Sequence, residues 1–503
     1  MPLAKYNIFG RGLRLQIAIT ITCQIAFIFF GYDQGVFSGI VGNTDWLATF
    51  GHPSSGLEGI IVSIYNLGAF SGCILTFIFG ERLGRRLCIW SAMGWIIVGA
   101  ILQCTSYSVA QIMIARYVTG IGTGIETSTV PIEPLFVGVG IVTAYFFDYG
   151  MSFVGGPVAW RVPIACQTIF AFVTIFLVFG LPESPRWLYA HGRHEEALQV
   201  LCEVWDEEPE GERVAGMNRE ILEALELERE NGEYRWRDIL KKDEVQTGRR
   251  VLLAYGMQFM NQVGGINLVV YFAPTALHEN VGLTENLSLV IGGCVNVCFI
   301  IGSLVPTFFL DKLGRRNPMM WGSALCGLSM MMISVLLSFN YKPDQYSAGV
   351  RQATSSASVA FFFTYMLSFG ATANCIPWVY VPEILPLHVR AKGSAVGISA
   401  NWLWNFVIVM ITPTIIGKLT WKAYLIFMCT NFAFVPLVYF FYPETARLTL
   451  EEVDYLFIKG ARKGLGKTRP VQTSLTGDLE KATQSSDEQV EHREEIKDDG
   501  KVS

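Results

Sequence analysis

Apolar residues run in stretches of about twenty, broken by short polar turns, over most of the chain. Such stretches stand near 15–40, 57–80, 87–106, 109–130, 134–150, 161–181, 249–277, 287–311, 318–338, 352–380, 393–417 and 422–442. A helix rises about 1.5 Å per residue, so about 20 apolar residues cross a hydrocarbon core of roughly 30 Å. The pattern predicts an all-α polytopic membrane protein with nominally twelve spans, the fifth short for a crossing. Two regions break the pattern. Residues 182–248 are polar and contain EEALQVLCEVW and REILEALELERE, whose spacing predicts amphipathic helices. The end of the chain after 459 is rich in Lys, Glu, Asp, Ser and Thr and is expected to be disordered.

Composition agrees, with 51% hydrophobic and only 16% charged residues, against the usual quarter charged. The charges set orientation. Lys5, Arg11, Arg14, Arg82, Arg85, Arg86, Lys312, Arg315, Arg316, Arg390 and Lys392 fall on one side of the predicted spans. The loops at 41–56, 107–108 and 278–286 carry no Lys or Arg, although 339–352 holds Lys342 and Arg351. Positive residues mark the cytoplasmic side, so both termini are expected inside. The first span follows no cleavable signal and is expected to remain as an anchor. The eleven Cys have no metal-ligand spacing and read as small core hydrophobes. No Walker loop, dinucleotide fingerprint or Ser-His-Asp pattern is visible, so catalysis and ATP-driven chemistry are disfavoured and no cofactor or nucleic-acid partner is expected.

The chain repeats itself. Glu81-Arg82-Leu83-Gly84-Arg85-Arg86 recurs as Asp311-Lys312-Leu313-Gly314-Arg315-Arg316, and Pro182-Glu183-Ser184-Pro185-Arg186 recurs as Pro443-Glu444-Thr445-Ala446-Arg447. Each half thus carries one turn motif after its second span and one exit motif after its sixth. The expected organisation is a cytoplasmic N-terminus (1–14), a six-helix bundle (15–181), an intracellular helical linker (182–248), a second six-helix bundle (249–442) and a cytoplasmic tail (443–503). Between equivalent marks the first half is 31 residues shorter. Most of the deficit falls between spans 4 and 5, where only Pro131-Ile132-Glu133-Pro134 connects them. A segment of roughly 20 residues is expected to be absent here, because two prolines three apart sit badly within one helix.

Phe30-Gly31-Tyr32-Asp33-Gln34-Gly35-Val36-Phe37-Ser38-Gly39, the two Gly-Arg-Arg turns, Pro182-Glu183-Ser184-Pro185-Arg186-Trp187, Gln262 to Asn267 and Pro443-Glu444-Thr445 occur in order. Together they resemble the sugar porter family of the major facilitator superfamily, over roughly 10–460. Phe369 to Trp378 is similar to its fungal branch. The resemblance implies two pseudo-symmetric six-helix bundles and transport of a hexose-like monosaccharide by alternating access. It also implies a monomer in the plasma membrane. A polyol, glycerol or quinate carrier, a sugar-binding sensor and an inactive truncated isoform remain alternatives.

Asp33 lies inside span 1 and Arg116 inside span 4. A charge at the centre of a membrane helix costs roughly 2.5–3.5 kcal/mol on insertion scales, so it is kept where it meets a partner or a cavity. One reading is a static pair that locks two helices. The other is a proton switch, in which ionised Asp33 holds Arg116 and neutral Asp33 releases it. The resemblance implies the second, since proton symporters of the family carry this aspartate.

A sugar presents hydroxyls that donate and accept, which amide side chains match, and apolar C–H faces, which aromatic rings match. Asn261, Gln262 and Asn267 stand in span 7, where Gly264-Gly265 invites a broken helix lining a cavity. Asn296 is in span 8, Trp378 in span 10, and Asn401 and Trp402 in span 11. Singly, each reads as interhelical hydrogen-bonding; as a set they suggest a binding site. The resemblance places sugar contacts at Gln262, Asn267, Asn296 and Trp378, and less directly at Asn401 and Trp402. Three departures put hexose specificity in question. Asn261-Gln262 replaces the usual Gln-Gln, the span-5 glutamine aligns near Pro134, and Asn374 to Pro377 replaces the usual Gly-Pro.

Glu81, Arg85 and Arg86 of one half and Asp311, Arg315, Arg316, Glu383 and Arg390 of the other are candidate latches across helix ends. The alternative is plain topology-setting charge. The expected partners are therefore a small sugar or polyol, protons and the lipid bilayer.

Overall fold

Long apolar stretches with few breakers close all their backbone hydrogen bonds internally, which is the condition for crossing lipid as helix. The computed structural model describes residues 7–130, 134–230, 243, 245–386, 389–448 and 450–457, and no strand occurs among them. The first half contains α1 (Leu13–Ile40), α2 (Thr44–Thr49), α3 (Ser55–Cys104), α4 (Val109–Thr129), α5 (Pro134–Ser152) and α6 (Val158–Phe179). The linker contains α7 (Pro185–Ala190), α8 (His194–Trp205) and α9 (Glu212–Glu230). The second half contains α10 (Thr247–Val263), α11 (Ile266–Ala276), α12 (Glu285–Leu313), α13 (Arg316–Ser338), α14 (Ala348–Ala371), α15 (Ile376–Ile384), α16 (Arg390–Leu419) and α17 (Ala423–Phe441), followed by α18 (Leu450–Phe457). The 131–133 connection and the tail beyond 457, each the subject of an expectation above, lie outside the described residues.

Among the described residues, 8 helical stretches are long and apolar enough to cross a membrane, two of them 50 residues long. Fifty helical residues extend about 75 Å, enough for two crossings. One of these stretches is α3, which joins the predicted second and third spans through a kink at Gly84 (φ 80, ψ 168). The other joins α16 and α17. With α4 and the broken α10–α11 pair, the twelve crossings are filled. Large apolar side chains such as Phe176, Phe308 and Phe440 point outward, as a lipid-facing surface requires.

Within the first half α1 packs on α5 and α3 on α4; in the second, α12 packs on α14, α13 on α17 and α10 on α16. The halves meet through α3 with α16, α5 with α12 and α1 with α11. Lipid offers little hydrophobic drive for helix association, so close backbone approach between small residues supplies it. Gly31, Gly35 and Gly39 form such a face on α1: a Cβ at Gly31 would stand 1.9 Å from the Val137 carbonyl oxygen of α5. Gly140 returns the contact, 2.0 Å from the Ile28 carbonyl oxygen.

The repeated motifs touch each other in both halves. Glu183 accepts the backbone N–H groups of Arg85 (3.0 Å) and Arg86 (3.2 Å). Glu444 accepts those of Arg315 (2.8 Å) and Arg316 (3.0 Å). The end of the bundle that carries these turns is the motif end. The linker docks at this end, with Gln16 Nε2 donating to the Val204 carbonyl at 2.7 Å. Leu188, Ala197, Leu201 and Val214 give it a small apolar core of its own.

Candidate functional site

α1 and α4 bring the predicted charges together. Asp33 Oδ1 lies 3.5 Å from Arg116 Nη1, and both side chains are completely buried. Arg116 Nη2 donates to the Val62 carbonyl at 3.1 Å. Its guanidinium also lies 3.8 Å from the centre of the Phe37 ring and 4.6 Å from that of Tyr65. Cation–π attraction thus holds part of the Arg116 charge independently of the acid. Neither Asp33 oxygen has a hydrogen-bond partner. At 3.5 Å the pair is Coulombic rather than a tight charge-assisted hydrogen bond.

The helix break predicted at Gly264-Gly265 is present. Gly265 adopts φ 99, and α11 restarts at Ile266. A break frees carbonyl groups that lipid cannot satisfy. Here the Gly264 carbonyl accepts Asn431 Nδ2 at 2.7 Å and Tyr365 Oη at 3.0 Å, and the Val263 carbonyl accepts Thr430 Oγ1 at 3.1 Å. The amides beside the break form a chain. Asn267 Nδ2 donates to Gln262 Oε1 (2.7 Å), Gln262 Nε2 to Asn261 Oδ1 (2.8 Å), and Asn261 Nδ2 to the Ala373 carbonyl (2.6 Å). Asn401 joins from α16, donating to Gln258 at 2.8 Å and Asn261 at 3.4 Å. Four of the predicted residues therefore share one network across three helical segments.

The other three are placed differently. Asn296 is buried on α12 and donates within its own helix to the Gly292 carbonyl at 2.8 Å, leaving Oδ1 unpartnered. Trp402 packs edge-on against Phe30 of α1, with ring centres 5.7 Å apart. It joins the two halves as an apolar contact. Trp378, half-buried on α15, lines a cavity of about 570 Å³. This cavity lies between Thr127, Ser128 and Pro134 at the motif-end tips of α4 and α5, and Glu383, Arg390 and Ile398 on α15 and α16. Its volume falls within the roughly 300–1,000 Å³ of small-molecule sites. At the far end the halves are in contact: a Cβ on Gly59 of α3 would stand 2.2 Å from the Met410 carbonyl oxygen of α16. Tyr145 Oη of α5 also donates to the Val270 carbonyl of α11 at 2.8 Å.

The sequence of this chain matches the family described as "Sugar (and other) transporter" over residues 19–133 and 132–457. The chain belongs to this transporter family. The two matched stretches meet within the short connection between α4 and α5. Among the relatives of this sugar-transporter family member, the MFS-type transporter oryC of Aspergillus oryzae is 38% identical, covering 90% of this chain and 87% of that one. The sugar transporter STL1 of Saccharomyces cerevisiae is 30% identical, covering 90% and 83%. The xylose transporter XylE from E. coli, in a partially occluded inward-open conformation, aligns with a TM-score of 0.71 at 20% identity. That alignment covers 86% of this chain and 99% of that one. The fold is that of the major facilitator superfamily.

The candidate latch residues in this transporter divide by half. Arg315 is paired within its own half, with Glu383 at 2.8 Å and Asp311 at 3.2 Å. Thr445 Oγ1 also donates to Glu383 at 2.7 Å. Arg316 reaches the Tyr439 carbonyl at 2.5 Å and Arg86 the Phe179 carbonyl at 3.1 Å. Glu81 and Arg85 are exposed, the Glu81 carbonyl accepting Trp187 Nε1 at 2.7 Å. Arg390 lines the cavity. Sequence reasoning did not assign Glu183, Glu444 or Gln258 to a site. The first two were visible as the repeated exit motif. Gln258 stands one helical turn before Gln262, the spacing that shares a helix face.

Proposed function

We propose that this transporter carries a hexose-like monosaccharide across the membrane by alternating access, in symport with a proton. The observation that carries this reading is the sealed Asp33–Arg116 pair, whose acid accepts no hydrogen bond. When Asp33 is ionised, Arg116 is held to α1; when Asp33 takes up a proton, the Coulombic hold is lost and α1 and α4 can shift against each other. Protonation is thereby linked to conformation. The sugar would bind where Trp378 and Gln258 face the cavity and Asn261, Gln262, Asn267 and Asn401 lie behind Gln258. Those amides exchange bonds with one another, and so could exchange them for sugar hydroxyls. Asn296 Oδ1 is a spare acceptor, and Trp402 supports the site from the interface between the halves.

The arrangement, closed at the far end and parted at the motif end, suits a cytoplasm-facing state if the basic motif end is cytoplasmic, as the Lys and Arg distribution argues. On that reading both termini and the linker are inside, the protein sits in the plasma membrane, and it works as a monomer with two bundles, residues 15–181 and 249–442. The names of relatives support the substrate class. They include a high-affinity glucose transporter of Kluyveromyces lactis, 27% identical, and XylE is described as a proton:xylose symporter. The division of the family match at 132–133 supports the absence of a segment between α4 and α5.

The test is expression in a cell lacking its own hexose carriers, with labelled glucose, xylose, glycerol and quinate supplied in turn. Glucose entry that an uncoupler abolishes is expected. Entry of glycerol or quinate alone would move the substrate class. Normal surface expression with no uptake of any of the four would overturn the transport reading in favour of an inactive isoform.

A further inference from the structure

α4 holds a second buried carboxylate. Glu126 lies ten residues beyond Arg116, about 15 Å further toward the motif end along the helix. It is 1% exposed, and neither of its carboxylate oxygens has a hydrogen-bond partner. The residues that follow it, Thr127 and Ser128, line the cavity. Asp33 stands on α1 beside Arg116, so it lies about three helical turns from Glu126 along α4. The other titratable side chains on this face of the packing come from α3. Tyr65 stacks on Arg116, Cys73 donates to the Gly124 carbonyl, and Cys88 packs with Ile125.

α4 and its neighbours therefore hold one buried ion pair, Asp33–Arg116, and one buried acid, Glu126, that has no ion pair among the described residues. An isolated buried carboxylate is expensive to ionise and takes up a proton instead. Arg116 is engaged by Asp33 and stands about 15 Å from Glu126 along the helix, so it does not offset the cost of ionising Glu126. Asp33, beside Arg116, is about 16 Å along α4 from the cavity-lining Thr127, whereas Glu126 adjoins Thr127 in the chain. We propose that Glu126 is a second proton-binding site, the relay between the cavity and Asp33. While Asp33 is ionised and holds Arg116, Glu126 carries the proton. Release passes that proton from the Glu126 carboxyl to water in the cavity. When Asp33 has next taken up a proton and let Arg116 go, the Glu126 carboxylate receives that proton through water admitted as α1 and α4 part, and Asp33, ionised again, rebinds Arg116.

This inference rests on the proton coupling proposed above, and the experiment separates the two. The full chain, purified and reconstituted in liposomes, is compared with Glu126→Gln, Glu126→Asp and Asp33→Asn. Two readouts are taken: infrared detection of protonated carboxyl groups, and labelled glucose accumulation driven by an imposed pH gradient. Glu126→Gln is expected to lose one protonated-carboxyl band present in the wild type. It is also expected to slow accumulation about tenfold or more, while Asp33→Asn abolishes accumulation. Glu126→Asp keeps an acid and is expected to retain the band and recover part of the rate, which decides the matter should the glutamine variant not fold. Unchanged infrared spectra with wild-type rate and pH profile in Glu126→Gln would overturn the relay while leaving symport intact. A wild type that accumulates nothing under the gradient would overturn symport and the relay together, whereas the infrared band would still report whether Glu126 holds a proton.

Discussion

Glu444 Oε1 accepts the backbone N–H of Arg315 at 2.8 Å, tying the exit of the last span to the turn between α12 and α13. The other oxygen takes the Arg316 N–H at 3.0 Å, and Gly314 bends with φ 80 so that a Cβ there would stand 2.6 Å from the carboxylate. Hydrogen bonds to a charged acceptor are worth roughly 1.5–3 kcal/mol each. Glu444→Gln keeps one acceptor oxygen but loses the charge, and is expected to lower the thermal midpoint of the detergent-purified protein by several degrees. Gly314→Ala is expected to do at least as much, through strain at positive φ and the clash with Glu444. Glu183→Gln and Gly84→Ala provide the pseudo-symmetric repeat of the experiment. Unshifted midpoints in all four variants would show that the turns are not held by these acids.

Asp33→Asn removes the titrating group while keeping its shape beside Arg116. A proton gradient contributes about 1.4 kcal/mol per pH unit to a one-to-one symporter, and the membrane potential about 2.3 kcal/mol per 100 mV. Asparagine cannot collect either. Steady-state accumulation is expected to fall to the level of equilibration, while exchange of labelled for unlabelled sugar continues. Uphill uptake that survives the substitution would remove Asp33 from proton coupling.

Much of this was legible before the structure, for physical reasons that differ from residue to residue. The spans were readable because about 20 consecutive apolar residues leave few alternatives. The Asp33–Arg116 pair was readable because lipid makes each charge costly enough to demand a partner. The break at Gly264-Gly265 showed as two adjacent residues with no Cβ in an apolar helix. What the chain did not disclose was rotation about helix axes. Trp402 reads as a sugar platform from its type and neighbours, yet it faces Phe30. Asn296 likewise sits apart from the other amides, bonded within its own helix. Contacts far apart in sequence were equally hidden: the repeat made Glu183 visible, but not its bonds to Arg85 and Arg86, nearly a hundred residues away.

Gln262 sits in the middle of the amide chain, giving one bond to Asn261 and receiving one from Asn267. Gln262→Ala leaves Asn267 Nδ2 without its acceptor and Asn261 Oδ1 with only the longer bond from Asn401 at 3.4 Å, at a cost of roughly 1–3 kcal/mol for an unsatisfied buried group. If sugar hydroxyls use the same atoms, apparent KM for uptake is expected to rise at least about tenfold, since each 1.4 kcal/mol of lost binding is tenfold. Gln258→Ala is expected to follow it. Phe309→Ala, on the lipid-facing side, serves as the control, with KM unmoved. A normal KM in Gln262→Ala with normal surface expression would exclude the amides from sugar binding and leave them as glue between helices.

Gly31 brings α1 against α5 so closely that a Cβ would overlap the Val137 carbonyl oxygen at 1.9 Å. The contact matters twice over, because α1 carries Asp33 two residues later and because α5, only 19 residues long, has little other length to grip. Gly31→Ala forces the helices apart by enough to admit a methyl group, and Gly31→Leu by more. Overpacking of this kind costs roughly 1–3 kcal/mol. The wider separation also lets Asp33 drift from Arg116. The expected result is graded. Gly31→Ala lowers surface expression modestly and pH-driven accumulation more, whereas Gly31→Leu abolishes both. Gly94→Ala is the matched control, since nothing lies within 4 Å of a Cβ there. Equal behaviour of Gly31→Ala and Gly94→Ala in fluorescence-detected expression and in accumulation would mean that the α1–α5 contact is looser than drawn, and that the position of Asp33 does not depend on it.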